Sequence, residues 1–107
     1  MEFKTQKNRA HYFKPKYNSL DRFISYFYQV NIISSLVTDK VKDRVLEVGV
    51  GSGIASNYLK MADFSVFTCD FDKDLKPDYV ADIRQIPVES NSFTVVTAFE
   101  VLEHLPF

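Results

Sequence analysis

At 107 residues the chain has room for one domain, long enough to bury a core but with little margin beyond it. Its formal net charge of −1 argues against a nucleic-acid or membrane partner recognised by bulk charge, and 46% hydrophobic with 25% charged residues is the balance of an ordinary globular protein. No stretch approaches the roughly 18 apolar residues of a membrane span, the start lacks the apolar run of a secretory signal, and the single cysteine, Cys69, can form no intramolecular disulfide; a reducing, cytoplasmic setting is expected.

Residues 1–17 form a basic, aromatic arm, with Lys4, Lys7, Arg9, Lys14 and Lys16 against the single acid Glu2. A solvated terminus is the simpler reading, and a contact for an anionic substrate the alternative. The domain proper is expected over 18–107. Asn18 and Ser19 offer an N-cap for a helix over 18–38. Its apolar positions Leu20, Phe23, Ile24, Phe27, Tyr28 and Val30 recur at three- and four-residue steps. The aromatic stripe of Phe23, Tyr26, Phe27 and Tyr28 reads as core packing rather than as a cofactor contact.

From residue 43 the period changes. Val45, Leu46 and Val48 make a short strand that stops at Gly49, and the chain's only three glycines fall at 49, 51 and 53. Residues 54–61 then read as a helix. A second strand is expected over 64–69, closed by Asp70, with Cys69 a small buried residue on it. A polar turn over 72–77, a short third strand over 79–82, a loop over 87–91 and a β-prone fourth strand over 93–99 follow. Strands separated by helices and turns point to a parallel α/β sheet.

The glycines carry the chemistry. At the end of a strand they let the backbone turn sharply and let a ligand approach where a Cβ would stand. The helix that follows aims its free N–H groups and positive dipole end at a bound group. A dinucleotide-binding loop would require a third glycine where Ile54 stands, which argues against a nicotinamide-binding domain. The order acid-x-Gly-x-Gly-x-Gly, from Glu47 to Gly53, instead resembles motif I of class I S-adenosylmethionine (SAM)-dependent methyltransferases, of the type 11-like kind. Asp70 closes the second strand beside that loop, and residues 80–87 and 91–105 resemble the third and fourth strands of the same family in order and spacing.

That resemblance implies a Rossmann-like parallel sheet of order 3-2-1-4, preceded by the aromatic amphipathic helix and truncated before a fifth strand. It implies SAM as cofactor, held by Glu47, Gly49, Gly51, Gly53, Asp70, Phe71, Asp82, Ile83, Phe99 and Glu100, and an acceptor the sequence does not identify. Asp70 would accept the ribose hydroxyls; its bland alternative is a surface acid ending a strand. Asp82 and the Ile83 amide would meet the adenine, and residues 99–101 would pass under the methionine part. Tyr12, Tyr17, Tyr26 and Tyr28 are candidates to close over the site. His104 is a candidate general base, with a positioning role the preferred reading, and no metal is expected. Two departures stand out: only eight residues separate Cys69 from Asp78, too few for a crossover helix, and the sequence ends at Phe107. The expectation is therefore a cofactor-binding half whose fourth strand forms an open edge prone to self-association. The rival reading is a non-catalytic SAM-binding or interaction module that completes its sheet with a partner.

Overall fold

The computed structural model describes residues 9–14 and 19–99. A one-turn helix α1 (Arg9–Tyr12) is followed by α2 (Leu20–Leu36), β1 (Arg44–Val48), α3 (Ile54–Met61), β2 (Ser65–Asp70), a 3-10 turn (Lys73–Leu75), β3 (Tyr79–Val80) and β4 (Val95–Thr97). The four strands form one parallel sheet of order β3-β2-β1-β4, the order expected from the sequence. No described helix is long and apolar enough to cross a membrane.

Local chemistry sets the joints. Ser19 holds the extended N-cap conformation, with its carbonyl accepting from the Phe23 amide, and α2 ends where Val37 turns extended. One oxygen of Asp43 then accepts from the Thr38 and Asp39 amides at 2.9 and 3.0 Å and from the Thr38 hydroxyl at 3.2 Å. Those amide bonds hold the Asp43 carboxyl below the usual carboxylate range and fix the approach to β1. At the same end of the sheet the Arg44 guanidinium lies over the Phe67 and Phe93 rings, 4.7 and 4.6 Å from their centroids, and donates to the Ser92 carbonyl at 3.0 Å.

Strand alternation divides the core in two. On one face the register row Val66–Val45–Val95 packs with Leu59 of α3 and Ile33 of α2. On the other face Leu46, Val48 and Cys69 gather Phe67, Tyr79, Ile83 and Phe93. Cys69 is fully buried, and burial pushes its thiol pKa up.

Two expectations need correction. The aromatic stripe of α2 is not core: Phe23, Phe27 and Tyr28 are 49%, 65% and 63% exposed. The helix docks instead through Ile33, Val30 and Val37. The third and fourth strands are shorter than expected, at two and three residues. For β3 the cause is the short link: with a single 3-10 turn and Lys76 in the left-handed region (φ 55°), the chain returns parallel to β2 only long enough to pair Cys69 with Tyr79 and Asp70 with Val80. Asp78 secures that return, its carboxylate accepting from the Thr68 amide and hydroxyl at 2.8 and 3.1 Å while its own amide donates back to the Thr68 hydroxyl at 3.0 Å.

Candidate functional site

Parallel strands bring their C-terminal ends to one edge of the sheet, and there Val48, Asp70 and Val80 stop together. The Gly49 amide continues the ladder by one step, donating to the Cys69 carbonyl at 2.8 Å, and the chain then turns through three left-handed residues, Gly49, Gly51 and Gly53 (φ 86°, 57° and 76°). The left-handed φ favours glycine at each, and the space around two of them differs. At Gly53 a Cβ would stand 3.2 Å from the Asn57 side chain, inside the packed start of α3. At Gly51 a Cβ would meet nothing within 4 Å, so the loop there borders open space.

Asp70 ties β2 to this loop. It is 8% exposed, so it is not a surface acid. One carboxylate oxygen accepts from the Val50 amide at 2.9 Å and the other from the Asp72 amide at 2.9 Å. Burial pushes the Asp70 pKa up, and these amide bonds oppose the rise. Phe71 follows at the rim, 37% exposed.

The aromatic N-terminal segments reach the same edge. The Tyr12 phenol pKa is pushed up by burial and then by the Asp70 and Asp72 charges, which places α1 beside the Asp70 end of the loop. The Ser52 hydroxyl donates to the Tyr26 hydroxyl at 3.2 Å, joining α2 to the loop. Tyr28 is largely exposed. A cavity of about 220 Å³ lies along the α3 flank of the loop, lined by Gly51, Ser52, Asn57, Lys60 and Lys76 and by Phe13.

The remaining expected residues divide. Asp82 follows β3 at the same edge, yet its carboxylate is engaged by Arg84, with Nη2 at 2.6 Å, Nε at 2.9 Å and the Arg84 amide at 2.8 Å. The Arg84 side chain holds the Asp82 pKa below the usual range. Ile83 packs into the Leu46 cluster, and Phe99 against the Ile33 and Val45 cluster. Glu100, His104 and Tyr17 lie outside the described residues.

Beneath the loop is a feature the sequence did not disclose. Glu47 is 5% exposed on β1, and its Oε2 has no hydrogen-bond partner among the described residues. Desolvation pushes its pKa up to about 7, against the opposing influence of a Ser56 hydrogen bond and the Lys60 charge. Its register partner on β4, Thr97, is buried as well and its hydroxyl is equally unpartnered. The Ser52–Tyr26 contact and the approach of Tyr12 were also missed beyond a general expectation of covering tyrosines.

A profile of a methyltransferase domain matches residues 20–107. No curated protein and no solved structure matches the chain.

Proposed function

Because the chain belongs to the methyltransferase-domain family, we propose that its glycine loop and Asp70 hold SAM for methyl transfer to an acceptor. One observation carries this reading: a left-handed loop, open beside Gly51, is pinned through its Val50 amide to a buried carboxylate at the end of the neighbouring strand. The Asp70 oxygens accept from the Val50 and Asp72 amides, the Phe71 amide bears on the same carboxylate, and the lone pair these leave is available to a ligand hydroxyl. The residues present therefore fit a ribose-bearing cofactor.

When bound, SAM supplies a methyl group already activated on sulfonium, so the protein's work is alignment and charge placement. Gly51 gives the close approach, and the α3 N-terminus behind Gly53 presents free amides. Asp70 fixes the ribose. Asp82, paired with Arg84, and the hydrophobically anchored Ile83 form the adenine side of the edge. Phe71, Tyr12 and Tyr26 supply aromatic faces around it, and such faces favour a cation.

Equilibrium dialysis with methyl-labelled SAM tests the proposal. Label should be retained, and displaced by the demethylated product but not by NAD. Transfer of label to added acceptor extracts separates an enzyme from a non-catalytic SAM-binding module. Displacement by NAD with no effect of the demethylated product would overturn the reading.

A further inference from the structure

Glu47 lies on β1 two residues before the glycine loop, in the register row Thr68–Glu47–Thr97. The parallel row one step back along the same face, Val66–Val45–Val95, is wholly apolar. Thr68 is committed to Asp78, whereas Glu47 Oε2 and the Thr97 hydroxyl are buried without partners among the described residues. An ionised carboxyl in such a place lacks the compensation that burial of charge demands.

The groups facing it from each packed element do not supply that compensation. From α3 come the Ser56 hydroxyl and Lys60, and Lys60 is already paired with Asp78 at 3.6 Å. From β2 comes the Thr68 hydroxyl, already engaged by Asp78. From β4 comes Thr97, which carries no charge, and α2 reaches the loop above with the Tyr26 phenol. Among the described residues the underside of the loop thus holds a carboxyl whose nearby cation, Lys60, is shared with Asp78.

We propose that Glu47 is the residue by which the site distinguishes a sulfonium ligand from its neutral thioether product. The proposal rests on the SAM reading above. SAM and its demethylated product differ by one methyl group and one positive charge. A methyl group offers little purchase for discrimination, but a charge acts through the low-dielectric interior. Ionised Glu47 attracts the sulfonium and has no equivalent attraction for the thioether. Product release is thereby favoured over cofactor release. Because burial moves the Glu47 ionisation to about 7, the effect grows across neutral pH. Binding SAM draws the proton from Glu47 and passes it to solvent, while the product does so far less.

Isothermal titration of SAM and of its demethylated product at pH 6, 7 and 8, in two buffers of different ionisation enthalpy, reads both consequences. The ratio of SAM affinity to product affinity should rise about tenfold from pH 6 to 8, the effect expected for charges on the order of 10 Å apart at an effective dielectric of about 20. At pH 7 SAM should release a measurable fraction of a proton and the product less. Glu47→Gln should flatten the ratio and abolish the difference in proton release; Glu47→Asp should keep part of both. A wild-type ratio that stays constant with pH overturns the proposal, and so does a rise that survives in Glu47→Gln but vanishes in Asp70→Asn. If Glu47→Gln does not fold, Asp70→Asn decides: a pH-dependent ratio and proton release that persist in it support Glu47 as the source, and their loss overturns the proposal. Failure of both ligands to bind would overturn the cofactor reading itself.

Discussion

Replacing Glu47 with Gln should stabilise the protein at pH 8 and change little at pH 4.5. The carboxyl ionises at about 7 in the folded chain against an ordinary value of 4.5. A group whose folded pKa is raised holds its proton more tightly in the folded state, so its contribution is fully present below 4.5. That contribution declines as pH rises and is gone above about 7. At about 1.4 kcal/mol per pH unit, the interval corresponds to roughly 3 kcal/mol, an upper figure because solvent penetration softens burial. Gln cannot ionise and keeps the neutral state at every pH. Its amide can also donate toward the unpartnered Thr97 hydroxyl across the β1–β4 pair. Urea unfolding of both proteins at pH 5, 6, 7 and 8 should show the gap opening steadily to about 2–3 kcal/mol. Asp70, whose pKa is also raised, titrates in both proteins and cancels in the difference. Two stability profiles that run parallel from pH 5 to 8 would show that Glu47 is ionised and compensated, and would refute the reasoning.

Asp70→Ala should weaken SAM binding far more than Asp72→Ala, since it removes charge-assisted hydrogen bonds of about 1.5–3 kcal/mol each; equal affinities by calorimetry would place the ribose contact elsewhere. Gly51→Val should leave a folded protein by circular dichroism, strained by about 1–2 kcal/mol at its left-handed φ, yet fail to retain SAM, because its side chain fills the open space beside the loop; normal retention would remove the loop from the site. Among the described residues β4 pairs only with β1, so the 107-residue chain should self-associate at tens of micromolar in sedimentation; a stable monomer would contradict the edge argument.

The β1–α3–β2 unit was legible because each of its signals is local. The run of Val45, Leu46 and Val48 ends at a glycine, and the helix over Ile54–Met61 and the position of Asp70 follow from chain order alone. Periodicity failed on α2 because it tells which residues share a face, not whether anything packs on that face; Phe23 and Phe27 lie one helical turn apart as expected and remain exposed. The length of β3 was set by tertiary geometry, a link too short for a helix and an Asp78–Thr68 lock that no pattern announces. In the site, Asp70 could be found by position, but its two amide partners could not. The pairing of Glu47 with Thr97 lies fifty residues apart in sequence and emerges only with the sheet register. Asp82 and Arg84 are two residues apart, and that ion pair was available to a reader who weighed charge at this spacing.

The central claim is that SAM binds on the glycine loop against Asp70, and amide chemical-shift mapping on the ¹⁵N-labelled protein tests it residue by residue. Adding SAM should move the amides of Gly49, Val50, Gly51, Asp70, Phe71 and Ile83, with those of Lys42 and Val96 unmoved. Saturating SAM that leaves the three glycine amides and Asp70 in place, or shifts that cluster on the outer face of α2, would contradict it.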